Sequence, residues 1–272
     1  MGLSMRTLKR LLLAASMCCL VATANAAPID DAEAAYNRGD YAQALNILSP
    51  LADQGNASAQ YSIGAMYHKG EGVTQNYQEA LKWYRLAADQ GYASAQYSIG
   101  ARYHKGEGVT QNYQEALKWF KLAADQGDAF AQFAIGLMYS FGEGVTQNNQ
   151  EALKWYRLAA DQGYASAQYN IGAMYRDGRG VTQDHQEALK WYRLAAAQGV
   201  TQAQSNLGWM YLKGNGVTQD YASAHMWYNL ASSAGGHGAK NRDLIAKRMT
   251  PQQIEKAQDM ARKCQERNFK GC

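Results

Sequence analysis

A block of 36 residues fixes most of what this chain can become. It reads NASAQYSIGAMYHKGEGVTQNYQEALKWYRLAADQG from Asn56 to Gly91. It returns at Tyr92–Gly127, Asp128–Gly163, Tyr164–Gly199 and, more loosely, Val200–Gly235. A fixed period of this length marks a solenoid, in which one unit stacks on copies of itself because it cannot bury its apolar face alone.

Each block reads as two helices. The first is predicted over Ala57–Lys69, with Ala59, Ile63, Met66 and Tyr67 at helical spacing. Gly70 ends it, since glycine accepts the left-handed backbone past a helix end. Gly70 and Gly72 make a short loop with Val73 tucked beneath. Asn76 starts the second helix, and Glu79 three residues later suggests a reciprocal capping box. The pair recurs as Asn112/Glu115, Asn148/Glu151 and Asp184/Glu187. Tyr77, Ala80, Tyr84 and Ala87 give the second helix one buried face. Gly64, Gly100, Gly136, Gly172 and Gly208 fall mid-helix, where glycine costs about 1 kcal/mol against alanine. Five repetitions of that choice point to a close helix crossing, with Ala80, Ala116, Ala152, Ala188 and Ala224 as the expected facing residues.

The shared text is A-x-A-Q-x-x-[IL]-G-x-x-Y-x-x-G-x-G-V-x-x-[ND]-x-x-x-A-x-x-W-[YF]-x-x-A. It stands at Ala57–Ala87, Ala93–Ala123, Ala129–Ala159 and Ala165–Ala195; Val200–Ala231 departs by placing Thr201 at the first alanine. It resembles the Sel1-like repeat family, a relative of the tetratricopeptide repeat. The resemblance implies an all-α, right-handed α/α superhelical solenoid that acts as a protein adaptor. It implies no catalytic site and no cofactor.

The flanks read differently. Residues 1–26 look like a secretory signal peptide: Arg6, Lys9 and Arg10, then the apolar run Leu11–Val21, then Ala24-Asn25-Ala26 as a cleavage site. The apolar run is too short to span a membrane. Met17 and Cys18 precede the two leader cysteines where a lipobox wants Gly or Ala, which argues against a lipoprotein. Losing the leader lowers the formal charge from +4 to +1, because it holds three cations and no acid. A near-neutral chain gives no bulk electrostatic reason to bind nucleic acid, and no other stretch is apolar enough to cross a membrane. A periplasmic or secreted location is expected. Residues 27–55 read as a shortened capping repeat, with Asp40 and Gln43 as a further capping box. Residues 56–235 are the five repeats. Residues 236–272 read as a C-terminal helical cap, with a helix over His237–Arg248 and another started by Thr250-Pro251. Cys264 and Cys272 are the cysteines left after leader removal. They read as a disulfide in an oxidising compartment, or otherwise as a free pair.

Little points to chemistry. His68 and His104 hold equivalent positions, but stacked helices lie roughly 8–10 Å apart, too far for rings to share a metal by alignment alone. The G-x-G-V loops lack the Lys and Ser/Thr of a phosphate-binding loop and follow a helix. Glu79 and its copies read as caps. Some Sel1 relatives linked to β-lactam handling carry a disulfide in each repeat, whereas this chain has none inside its repeats and no S-x-x-K, S-D-N or K-T-G. The expectation is no enzyme, cofactor or metal. Trp83, Trp119, Trp155, Trp191 and Trp227 recur once per block and read as packing between units.

Function is sought where the text departs from the repeat. By the resemblance, first helices line the concave surface, which exposes a stripe containing Tyr61, Tyr97, Phe133, Tyr169 and Ser205, with His68, His104, Ser140, Arg176 and Leu212 beside it. The third repeat adds Phe130, Leu137 and Phe141 where its neighbours carry Ser, Ala and Lys or Asp, and the last adds Trp209 and Leu212. An apolar patch with a polar rim marks a binding site. The cluster reads either as a groove for a peptide or another protein, or as packing under a loop or a neighbouring repeat. Three functions stay open: an envelope scaffold binding a peptide or protein of unknown identity, a secreted effector binding a host protein, and a β-lactam- or cell-wall-handling enzyme.

Overall fold

The structure, a computed structural model, describes residues 28–233, 238–267, 269, 271 and 272. The expected leader, residues 1–26, lies outside the described residues. The chain divides into two compact units, the first ending at Gln126 and the second beginning at Gly127.

The first unit holds α1 (28–37), α2 (Tyr41–Asp53), α3 (Ala57–Lys69), α4 (Tyr77–Asp89), α5 (Ala93–Lys105) and α6 (Tyr113–Asp125). Along it α2 packs on α3, α3 on α4, α4 on α5 and α5 on α6. The second unit holds α7 (Ala129–Phe141), α8 (Asn149–Asp161), α9 (Ala165–Asp177), α10 (His185–Ala196), α11 (Thr201–Lys213) and α12 (Tyr221–Ser233), closed by α13 (Gly238–Ala246) and α14 (Pro251–Glu266). Here too each helix packs on the next through α12, which then meets both α13 and α14. No strand occurs among the described residues.

The local signals place these helices where the sequence predicts. Gly70 is left-handed at φ 76° and donates to the Met66 carbonyl, and Asn76 accepts from the N–H groups of Gln78 and Glu79. The expected capping boxes at Asn76/Glu79 and its copies are only half made. The Asn76 N–H is already given to the Tyr67 carbonyl at 2.9 Å, and Glu79 turns instead to Lys82. Asn112, Asn148 and Asp184 repeat this with Tyr103, Tyr139 and Tyr175. Asp40 likewise accepts from the Gln43 N–H, while its own N–H goes to Ala35. The full capping box is Thr250/Gln253, at the start of α14.

The mid-helix glycines meet a ring, not a methyl group. A Cβ on Gly64 would lie 2.7 Å from Tyr84 Cδ1, and Gly136 and Gly172 meet Tyr156 and Tyr192 in the same way. The expected partner Ala80 contributes its carbonyl oxygen, 3.2 Å away. The core of each of the first four repeats thus holds one fully buried aromatic among small and aliphatic residues, with Ala59, Ile63, Ala80, Tyr84 and Ala87 all buried in the first.

One buried polar position is also regular. The Gln90 Nε2 donates to Gln60 Oε1 at 2.8 Å, and Gln60 Nε2 donates to the Ala52 carbonyl. Gln126 and Gln96 repeat the contact in the first unit; Gln162/Gln132 and Gln198/Gln168 repeat it in the second. Each pair ties a second helix to the first helix of its own repeat. Arg85 to Tyr103, and Arg193 to Tyr211, add ties to the following repeat.

The tryptophans are less buried than a core role implies. Trp83, Trp119, Trp155 and Trp191 are half-buried, and Trp83, Trp119 and Trp191 rest on the core of the preceding helices. Trp227 alone is fully buried, in a cluster with Ala261 and Cys264 of α14. Cys264 and Cys272 are joined by a disulfide with Cα atoms 5.7 Å apart. Phe269 and Cys272 both pack onto that cluster.

Candidate binding surfaces

The first-helix stripe is a row of half-buried rings seated on the buried aromatic of the second helix. Tyr61 lies 5.7 Å from Tyr84, Tyr97 5.6 Å from Phe120, Phe133 5.6 Å from Tyr156 and Tyr169 5.8 Å from Tyr192. Burial pushes the Tyr156 phenol up to about 12 and those of Tyr84 and Tyr192 higher still. These groups stay protonated and serve as packing. In the first unit Tyr61 also lines a hollow of about 350 Å³ with Ile29, Tyr36 and Lys69. Lys69 donates to the Tyr36 hydroxyl at 2.7 Å, and that hydroxyl donates to Glu71.

The phenylalanine cluster divides. Phe130, Phe133, Leu137 and Phe141 recur at steps of three and four residues, which keeps them on one face of α7. Phe133 and Leu137 are anchored against the core that α8 and α9 complete. Phe130 is 53% exposed and Phe141 67% exposed. Tyr164 joins the anchored and exposed parts, its ring 5.0 Å from Phe133 and 5.1 Å from Phe130. Tyr164 sits at the helix-capping position, where Asn56 and Asp128 accept a backbone N–H bond and it offers no side-chain cap. The cap is exchanged for ring packing, a role that the sequence pattern hides.

Leu212 and Trp209 do not share a surface. Leu212 turns into a small cluster with Tyr228 and Ile245, under α13. Trp209 stays 36% exposed and lines an open groove with Arg176, Asp177, His185, Asn206 and Asn215.

Charged departures from the repeat are held in pairs. Arg102 takes the slot of Met66, Met138, Met174 and Met210, yet it is 6% exposed. Its Nε lies 3.0 Å from Glu107 Oε2 as an ion pair, off the axis of a hydrogen bond, and His68 Nε2 lies 3.6 Å from the same oxygen. Burial, then the Arg102 charge, lowers the His68 pKa against the pull of Glu107. Arg176 holds Asp177 through two bonds of 2.7 and 3.0 Å, which keep that carboxyl below its usual range. Among the described residues, no three His, Cys, Asp or Glu side chains gather as a metal site, and no helix is long and apolar enough to cross a membrane.

Paired helices repeating on a fixed period, with a glycine-capped first helix and a glycine under an aromatic ring, define an all-α helical-repeat protein. The Sel1 repeat model matches residues 57–92, 93–128, 129–164, 165–200 and 201–236, so the chain belongs to the Sel1 repeat family. Sel1 repeat proteins generally mediate protein–protein interaction, and the family is generally a non-catalytic scaffold. The chain is 35% identical to a protective antigen of uropathogenic Escherichia coli strains displaying an SLR fold. That match has a TM-score of 0.81 over 89% of this chain and 54% of the other, so this chain spans about half of that one. A Sel1 repeat protein from Oxalobacter formigenes is 34% identical, with a TM-score of 0.76 over 87% of this chain and 99% of that one. An immunity protein from Pseudomonas aeruginosa shares the fold at 22% identity and a TM-score of 0.51, over 76% of this chain and 83% of its own. No curated protein matches the chain.

Proposed function

We propose that this chain is a non-catalytic scaffold of the bacterial envelope that takes up a segment of another protein on the α7 face. The carrying observation is the pairing of two exposed phenylalanines, Phe130 and Phe141, with anchored neighbours at Phe133 and Leu137. Neither exposed ring is required by the repeat, since the equivalent residues elsewhere are Ser or Gln, and Lys or Asp. Rigid aromatics on a fixed helix give contact area at small entropic cost. The leader-like segment at residues 1–26 supports an envelope or secreted location.

A second reading is a released chain that binds a host protein; the 35% identity to a protective antigen favours it. The test is a crosslinking capture with wild type beside a Phe130→Ser, Phe141→Ser variant, on both a bacterial envelope fraction and host-cell extract. A partner held by wild type and lost by the variant supports the α7 face, and the source of that partner separates the two readings. Equal capture by both proteins overturns it.

A further inference from the structure

The groove between α9 and α11 departs from the repeat more than its surroundings do. Trp209 stands where the first, second and fourth repeats have Ala65, Ala101 and Ala173. Asn215 stands where the first three have Glu71, Glu107 and Glu143. His185 replaces Tyr77 and Tyr113, and Arg176 replaces His68 and His104. The repeat folds without these four residues, so packing does not explain their presence together around one space. That space is about 650 Å³, within the range of small-molecule sites.

Its electrostatics are balanced. Arg176 gives Nε and Nη2 to Asp177 and its Nη1 to Asn206 Oδ1 at 3.2 Å. The guanidinium is thereby fixed and its charge cancelled. Gln183 is fixed too, its Nε2 bonded to the Arg176 carbonyl at 2.7 Å. The groove wall carries one cation and one carboxylate; Arg179, 45% exposed and outside that wall, also stands 3.6 Å from Asp177 Oδ2. The groove also offers unsatisfied polar atoms. The Asn215 amide on the groove wall has no side-chain hydrogen bond among the described residues, and His185 Nδ1 has no partner there.

From this geometry we infer that the α9–α11 groove binds a neutral saccharide, with a sugar ring stacked on Trp209 and adjacent hydroxyls bonded to Asp177, Asn206 and Asn215. Asp177 only accepts, and Asn206 has its oxygen engaged and its NH₂ left to donate. A hydroxyl both donates and accepts, so neighbouring hydroxyls satisfy the two sides at once. The apolar C–H face of a sugar ring matches the electron-rich face of an indole. The site uses none of the α7 phenylalanines and stands apart from the function proposed above.

The test is a glycan array of neutral hexose and N-acetylhexosamine oligosaccharides probed with the full chain, followed by fluorescence titration of the best retained glycan. Trp209→Ala restores the residue of other repeats, so its fold is expected to be unchanged in thermal melting. At least a tenfold loss of affinity in Trp209→Ala, a several-fold loss in Asn206→Ala and no change in Phe130→Ser, Phe141→Ser would support the site. No retained neutral glycan, retention undiminished in Trp209→Ala, or a preference for charged glycans would overturn it. So would displacement from the groove by the blocked peptide acetyl-tetraalanine amide.

Discussion

Gln60 and Gln90 stand thirty residues apart in the chain and join side chain to side chain at 2.8 Å. Gln60 accepts that bond at Oε1 and donates from Nε2 to the Ala52 carbonyl of the preceding helix. One buried amide thus holds its own second helix and the helix before it. In the next copy, Gln96→Ala removes both contacts, leaving the Ala88 carbonyl with the Gly91 N–H and the Gln126 amide with the Leu122 carbonyl. The expected loss is about 1–3 kcal/mol, read by urea unfolding; a loss below about 0.5 kcal/mol would remove the amides from the stabilising set.

Gly136→Ala adds a methyl group 2.5 Å from two atoms of the Tyr156 ring. The helix-propensity gain of about 1 kcal/mol is outweighed by an overpacking cost of about 1–3 kcal/mol. The variant should melt lower than wild type. Tyr156→Leu placed on top of it should destabilise less than Tyr156→Leu alone does in wild type. Additive effects would mean that the ring does not press on the glycine.

His225 occupies the slot of Leu81, Leu117, Leu153 and Leu189, and it is 3% exposed. Burial, then the nearby Arg242, lowers its pKa below the usual 6.5, with Asp243 opposing. The unfolded chain therefore binds its proton first as the pH falls. The stability from neutral His225 is complete above about pH 6.5 and is lost below it. His225→Leu should lose less stability between pH 7 and pH 5 than wild type. Parallel pH profiles of the two proteins would sink the prediction.

Arg102→Met restores the residue found at this slot in the other four repeats. Methionine packs buried in this slot in those repeats, and the substitution ends the desolvation cost of the Arg102 cation, while Glu107, 26% exposed, keeps access to water and His68 at 3.6 Å. In the first repeat the equivalent Glu71 carboxylate is held by Tyr36 and Lys69 with Met66 in the slot of Arg102. Thermal melting at or above the wild-type midpoint is expected, while Arg102→Ala, which leaves a hole, should melt lower.

The helix ends were legible because each is written by a single residue, such as Gly70 or Asn76, acting within one turn. The capping boxes misled because the Asn76 N–H is taken by Tyr67, nine residues back in the chain. The ladder from Gln60 to Gln90 was not foreseen, since an amide inside a motif does not announce a partner thirty residues away. The α7 patch was half legible: spacing put four apolar residues on one face, but which rings stay exposed depends on Tyr164 of a later helix. Leu212 was misplaced because α13 breaks the period and covers it. The groove beside Trp209 was invisible because stacking alone brings Arg176 to Asn206.

The ladder carries a consequence for how such a chain can change length. Each rung joins residues within one 36-residue block, and within each unit the amides of Gln60, Gln96 and Gln168 reach a carbonyl of the block before. A copy inserted whole arrives with its own rung and finds the carbonyl it needs. An insertion of one residue within a block instead takes Gln90 out of register with Gln60. Duplication of complete blocks is therefore a mutation this architecture absorbs without repair. The first two blocks, which differ at only four aligned positions, are what a recent copying event would leave behind.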